Sequence, residues 1–420
     1  MNALKNRNLQ LYFGGQIVSL VGTWMQQMAL SWLVFRLTGS SFMLGLLAFG
    51  SQAPSLLVTP FAGIIVDRVN RHRMIVITQT LAMIQAFLLT IVVCSGRPQM
   101  WELILLSALL GVITSFDLPA RQSFLVDMLD EPQQLATAIG INSSINTGTR
   151  LIGPFVAGIF VAKAGEQMCF LVNALSYIAV IAALFLVRSS QRMNDMSKKS
   201  SWTQLKEGFE YTINCIPIRN LIVFVSLMGL ITMPFAVLMP PVAKTIYHGD
   251  AMTLGLLTGA GGAGSMIGAL LLTTRKSIDN LGRWIIGGCA LSGIGLFALG
   301  AATVFPLAMA ATFLAGFGAM IALAGSNTIV QTIVEPDKRG RVMSFVVMAF
   351  IGLSPFGAMI VGGIANVVNV GSALSMLGVA TLILAAGFYR SVTSIRAEAS
   401  PPTVAEALVE SEAELEALSA

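Results

Sequence analysis

Charge is scarce in this chain. Lys and Arg number 25 and Asp and Glu 20, together 11% of the 420 residues, against roughly 25% in a soluble protein. So few charges cannot cover the surface of soluble domains totalling this length, which excludes that class. Histidine is almost missing, with only His72 and His248, and the four cysteines (Cys94, Cys169, Cys215, Cys289) are scattered. No cysteine pair has ligand spacing, so neither a zinc site nor a disulfide frame is expected, and no metal or other cofactor. No P-loop pattern occurs, which excludes ATP as the direct energy source. The glycine-rich stretch 259–264 imitates a nucleotide fingerprint, but it lies inside an apolar run and reads as close helix packing. There is no basic face with interleaved aromatics, so nucleic acid is not an expected partner. No enzyme constellation is present. The N-terminus has no small-residue cleavage site after a short apolar core, so the first span is expected to act as its own targeting signal.

What is abundant is apolar length. Hydrophobic residues make up 55%, with 40 Gly and 22 Met. A helix needs about 20 apolar residues to cross the hydrocarbon. Twelve segments qualify: 11–36, 42–66, 74–95, 101–126, 138–163, 168–188, 219–246, 252–274, 284–303, 306–330, 340–366 and 371–390. The runs are long and gapless, unlike the short alternating strands of a membrane barrel. Placing the N-terminus inside puts 19 of the 25 Lys and Arg on the cytoplasmic side and four outside (Arg36, Arg97, Lys163, Lys244), with Arg121 and Arg150 inside spans. The positive-inside rule then sets both termini in the cytoplasm.

The chain divides into a first six-helix bundle (1–188), a cytoplasmic linker (189–218), a second bundle (219–396) and an acidic tail (397–420). The linker carries Trp202, Leu205, Phe209 and Ile213 at helical spacing after a Ser201 cap, the pattern of an amphipathic helix on the membrane surface. The tail has six Glu and no Lys or Arg and reads as a disordered, solvated segment. The halves resemble each other. Met43-Leu44-Gly45-Leu46-Leu47 opens helix 2 and Thr253-Leu254-Gly255-Leu256-Leu257 opens helix 8. Gly148, Gly153 and Gly158 of helix 5 recur 204 positions later as Gly352, Gly357 and Gly362 of helix 11. Two halves in parallel order are the mark of a transporter with its substrate site near midplane between them.

The turn between helices 2 and 3 reads Gly63-Ile64-Ile65-Val66-Asp67-Arg68-Val69-Asn70-Arg71-His72-Arg73. It resembles the G-x-x-x-D-R-x-x-R-R/K signature of the major facilitator superfamily, with His72 in the second basic position and Arg73 after it. Asp117-Leu118-Pro119-Ala120-Arg121-Gln122 in helix 4 and Arg150-Leu151-Ile152-Gly153-Pro154 in helix 5 are similar to the drug and siderophore exporter branch, which includes macrolide efflux proteins and the enterobactin exporter. Ala157-Gly158 stands where the antiporter pattern has a glycine pair. The resemblance covers nearly the whole chain. It implies the all-α major facilitator fold, twelve spans in two pseudo-symmetric six-helix bundles. It also implies a cytoplasmic gate in which Gly63, Asp67, Arg68, Arg71 and Arg73 work with Asp127 at the end of helix 4 and with the start of helix 11. The plainer reading of those arginines is topological, marking the inner side.

Three charges lie within spans. Asp117 sits about ten residues, roughly 15 Å, before the inner end of helix 4, and Arg121 is one turn closer to the cytoplasm on the same face. Arg150 lies at similar depth in helix 5. A lone charge at midplane costs about 2.5–3.5 kcal/mol on insertion scales, so each is a functional candidate. An Arg–Asp–Arg cluster is expected, either as a proton-coupling or substrate site or as a structural ion pair. Trp24, Gln26, Asn142, Asn146 and Asn327 are candidate cavity residues; Asn142, Asn146 and Arg150 share one helix face. The expectation is a monomeric secondary transporter of a bacterial inner membrane, exporting amphipathic small molecules against proton entry. An importer or lysophospholipid flippase of the same fold is the alternative, and a non-transporting receptor the alternative of another class.

Overall fold

The computed structural model describes residues 7–129, 134–187, 210–274, 280–335 and 338–399. Among the described residues, twelve helices are long and apolar enough to cross a membrane. The first six are α1 (Arg7–Thr38), α2 (Ser41–Arg68), α3 (Arg71–Cys94), α4 (Met100–Asp127), α5 (Leu135–Ala164) and α6 (Glu166–Leu186). The second six are α7 (Ile216–Ile246), α8 (Ala251–Thr273), α9 (Leu281–Ala301), α10 (Phe305–Ile333), α11 (Arg339–Val367) and α12 (Val370–Ala399). The expected spans all occur, most of them a few residues longer. Of the linker, only its end falls within the described residues: 210–214 is helical, and Lys338 Nζ sits 4.5 Å above the ring of Tyr211. Ser201, Trp202, Leu205 and Phe209, and the tail from 400, lie outside the described residues.

Short polar residues set the helix starts. Asn70 caps α3 by accepting the Arg73 amide at 2.9 Å, and Asp250 caps α8 by accepting the Thr253 amide at 3.0 Å. Each side chain satisfies one of the free N–H groups of a first turn. Odd-numbered helices begin on the side that carries the Arg- and Lys-rich turns, here the basic side; even-numbered helices begin on the far side. In α7 the prolines act as the sequence implies. Pro234, Pro240 and Pro241 cannot donate to the helix ladder. Around them the backbone passes through a π turn (Met228–Thr232), a 3-10 stretch (Met233–Leu238) and a second π turn (Val242–Ile246). Met228, Thr232, Pro234, Leu238, Pro240 and Pro241 are buried in protein, which is where irregular backbone is tolerated at membrane depth.

The helices pack as two bundles, with α3 and α6 confined to the first and α9 and α12 to the second. Two principal contacts join the bundles, α2 on α11 and α5 on α8, and they are copies of one another. A Cβ on Gly45 would lie 2.5 Å from the Ala358 carbonyl oxygen; a Cβ on Gly255 would lie 2.7 Å from that of Pro154. Ala358 and Pro154 are 204 positions apart, the offset already visible in the glycines. Gly362 meets Ser41 and Phe42 as Gly158 meets Ala251 and Met252. The repeat in the sequence is thus the repeat of the seam. Only glycine allows these backbones to come so close.

The seam closes over half its length. Along α5, residues 139, 143, 146, 150, 157 and 161 lie on one face by their spacing. Ala157 and Val161, on the far half, are buried; Ile139, Ser143, Asn146 and Arg150 on the basic half are exposed. On α11, Ala358 and Gly362 are packed while Ser344 and Met348 of the same face are exposed. Gly63, Gly140, Gly148 and Gly340, all on the basic half, have nothing within 4 Å of where a Cβ would stand. The innermost glycine crossings, Gly262 on Leu151 and Gly352 on Leu56, fall at the middle of their helices. The bundles therefore meet from the far side to the midplane and part below it. Across the closed half, Phe49 meets Phe356 edge-on at 5.4 Å, Lys244 lies 5.9 Å above Trp32, and Ser40 donates to Asn366 at 3.2 Å.

This packing predicts the effect of bulk at the crossing. Gly362→Leu should leave a folded, helical protein whose far-side seam no longer closes. In a background lacking the four native cysteines, Ala358→Cys is expected to resist a membrane-impermeant maleimide, and to react once Gly362→Leu is added. An Ala358→Cys thiol equally unreactive in both proteins contradicts the packing role.

Candidate functional site

Asp117 is held inside the first bundle. Arg121 Nε lies 2.6 Å from its Oδ2, the i,i+4 pair that the spacing predicts. The hydroxyl of Thr78 donates to Oδ1 at 2.7 Å and the amide of Gln79 donates to the same oxygen at 2.8 Å. Asp117 and Arg121 are only 14% and 12% exposed, so the pair does not stand free in the seam. Tyr12 of α1 and Tyr177 of α6 lie within electrostatic reach of both charges. Four helices thus converge on one carboxylate. A buried ion pair repays its desolvation only when further hydrogen bonds satisfy it, and Thr78 and Gln79 provide them. Neither Thr78 nor Gln79 is among the candidate residues read from the sequence. The signal was a consecutive polar pair in an otherwise apolar helix.

Arg150 does not join this pair, and the expected Arg–Asp–Arg cluster is corrected accordingly. It sits at the middle of α5, exposed to the seam, with its guanidinium 5.4 Å from the centroid of the Trp24 ring. Among the described residues it has no ion pair and no hydrogen bond. The reason is geometric. Asp117 points into the first bundle, whereas position 150 lies on the seam-facing side of α5. Asn146, one turn below, is exposed on the same face and donates to the Asn142 carbonyl at 2.9 Å; Asn142 accepts from Gln16 at 3.2 Å. Trp24 is half-buried, its Cβ against Gly153.

Gln26, expected in the cavity, is 2% exposed and lies within the bundle instead. It donates to Gln85 at 3.2 Å and accepts from Asn173 at 2.8 Å, and Gln85 donates to the Leu106 carbonyl at 3.1 Å. This polar belt ties α1, α3, α4 and α6 together. A mid-helix glutamine in an apolar run gives no sign of which way it faces, and here interhelical bonding takes it. Asn327 of α10 lies apart from these groups, with its buried amide oxygen unbonded among the described residues.

At the basic turn, Arg71 Nη1 lies 2.8 and 2.9 Å from the two oxygens of Asp127, joining α3 to α4. His72 Nε2 lies 2.9 Å from the Leu184 carbonyl of α6. Arg68 and Arg73 are exposed. The side chain of Asp67 lies outside the described residues. On the far side, Arg36 binds Glu166 through two bonds, 2.8 and 3.2 Å, clasping α1 to α6. Neither that clasp nor the Lys244–Trp32 contact was visible in sequence, because each joins residues more than 100 positions apart.

Removing one partner of a buried pair strands the other charge. Asp117→Ala is expected to destabilise the protein by about 3–5 kcal/mol, read as a lower midpoint in thermal unfolding, and Asp117→Ala/Arg121→Leu to recover much of that loss. A single variant as stable as the parent contradicts the burial. Trp24→Leu should cost far less, about 0.5–2 kcal/mol, since only a cation–π contact and ring packing are lost; a loss as large as that of Asp117→Ala contradicts that assignment.

Comparison with known proteins places this architecture. The model of a family described as transmembrane secretion effector matches residues 2–415. The chain is 24% identical over 386 residues to a staphyloferrin A transporter of Staphylococcus aureus, covering 90% of this chain and 94% of that protein. It is 21% identical over 277 residues to macrolide efflux protein A of Streptococcus pyogenes, covering 65% and 68%. Its fold superposes on the inward-facing, unoccupied crystal structure of a bacterial homologue of the human lysosomal transporter Spinster, with a TM-score of 0.71 at 15% identity, covering 94% and 99%. With twelve spans, two related bundles and a seam between them, the chain is a multi-pass membrane transporter of small substrates and belongs to the transmembrane secretion effector family of the major facilitator superfamily.

Proposed function

We propose that the protein exports amphipathic small molecules of the drug or siderophore class across a bacterial inner membrane, by alternating access driven by proton entry. The observation that carries this reading is the half-closed seam: sealed on the far half, open on the basic half, with a carboxylate buried behind its wall. The charge bias of the turns supports a cytoplasmic position for the basic side and both termini. The present state is then inward-open, ready to load cargo from the cytoplasm. Relatives named for siderophore transport and macrolide efflux support the cargo class.

Asp117 is the proton site in this scheme. Protonation neutralises the carboxylate and leaves Arg121 unmatched among Tyr12, Tyr177 and the hydrogen-bond donors of α3. The four helices must then repack, and the geometry of the first bundle changes with its charge. The rest of the mechanism is mechanical. When the basic side closes, the turn from Gly63 to Arg73 comes to the start of α11, where Asp67 faces a helix N-terminus whose dipole attracts a carboxylate. The Arg71–Asp127 pair keeps that turn rigid against α4. Monomers suffice, since both bundles lie in one chain.

Two measurements test this. In proteoliposomes with an imposed proton gradient, the parent protein should move a drug or siderophore in the direction opposite to protons. Asp117→Asn should abolish gradient-driven movement while the protein still folds; movement that persists at the parent rate removes Asp117 from the mechanism. Asp67→Ala should slow export and raise thiol accessibility of the basic half of the seam, and unchanged rate and accessibility contradict the gate. Movement in the same direction as protons identifies an importer.

A further inference from the structure

We infer that the substrate site at the apex of the seam is anion-selective, and that the cargo is an amphipathic organic anion bearing a carboxylate, sulfonate or phosphate. This rests on the reading of the seam as the transport cavity and adds to it the charge of the cargo. Arg150 stands where the seam parts, at the centre of α5 and one residue from Leu151, against which Gly262 closes the far half. It is exposed, with no anionic partner and no hydrogen bond among the described residues. A cation left unmatched at midplane is costly, and a site that keeps one is built to receive its counter-charge.

Among the described residues no protein carboxylate pairs with Arg150. Asp117 is engaged by Arg121, Thr78 and Gln79. Asp127 is engaged by Arg71. Glu102, Glu166 and Asp250 sit at far-side helix starts, and Glu335 follows the basic end of α10. The pseudo-symmetric position in α11, 204 residues on, is Ser354, so that position offers no opposing charge.

The geometry suits a particular head group. A guanidinium is a planar fork of donors that matches a carboxylate, sulfonate or phosphate through two bonds. The Trp24 ring beside it is a flat apolar surface on which the body of such a molecule can stack. Asn146 and Ser143, both exposed, continue the polar strip below Arg150. A cationic drug would instead meet the like charge of Arg150.

The field at the apex can be measured without knowing the cargo. In a variant lacking the four native cysteines, Ser143→Cys places a thiol on the open half of the Arg150 face. It is modified from the basic side with the anionic reagent sulfonatoethyl methanethiosulfonate and, separately, with the cationic trimethylammonioethyl methanethiosulfonate. The anion-to-cation rate ratio, normalised to a free thiol in solution, is expected to exceed one. Arg150→Gln should lower it about tenfold, and Arg150→Lys should retain most of it. A normalised ratio at or below one, or a ratio that Arg150→Gln leaves unchanged, overturns the inference. Labelling needs no turnover, so the two readings fail separately. Anion selectivity without gradient-driven movement in proteoliposomes refutes export and leaves this site. Undiminished export of cationic drugs by Arg150→Gln refutes this site and leaves export.

Discussion

The close approach of backbones at the seam is the constraint on which the rest depends. Lipid tails are as apolar as leucine, so two membrane bundles gain little by hiding apolar side chains from their surroundings. What holds them is van der Waals contact, and that requires backbones to come near. Gly45 on Ala358, Gly255 on Pro154, Gly158 on Ala251 and Gly362 on Ser41 supply that contact on the far half. On the basic half, Ser143 and Asn146 of α5 and Ser344 and Met348 of α11 stand exposed. Small residues suit such an interface for a second reason: a contact made without interlocking side chains can be unmade by tilting. The cross-seam polar contacts, Lys244 over Trp32 and Ser40 to Asn366, lie near the far rim, where water can take them over when the seam opens.

Around a seam repeated twice, the chemistry is not repeated. Trp24 lies against Gly153, but the matching contact on Gly357 is made by the Leu230 backbone and Pro234 in the broken α7. Asp117, Arg121 and Arg150 have no charged counterparts within the described spans of the second bundle. The first bundle holds the buried ion pair and the seam cation; the second holds the irregular helix. One bundle is thereby suited to sensing charge and the other to yielding mechanically, a division that gene duplication followed by divergence produces easily.

Legibility in the sequence followed period and composition. The twelve spans could be read because each is a long apolar run, and their ends moved by only a few residues except that α12 runs on to Ala399. The repeat could be read because Gly45, Gly255, Gly158 and Gly362 sit at backbone crossings that tolerate no other residue. Asp117 and Arg121 could be paired because i,i+4 spacing fixes their neighbourhood on one helix. The direction of a side chain between helices could not be read. Gln26 turned into a polar belt with Gln85 and Asn173, and Arg150 turned away from Asp117, because both outcomes depend on the rotation of α1 and α5 against neighbours 59 to 147 positions away. Thr78 and Gln79 were missed for the same reason.

The central claim is that the two bundles tilt as bodies about the midplane, so that one half of the seam closes as the other opens. Paired spin-label distances test it most directly, with one pair across the basic half (Ser143 and Ser344) and one across the far half (Leu37 and Val367), measured in the same lipid over a range of pH. Reciprocal change is predicted: conditions that shorten the first distance lengthen the second. Distances that move together, or a far-half distance that stays fixed while the basic half closes, contradict it.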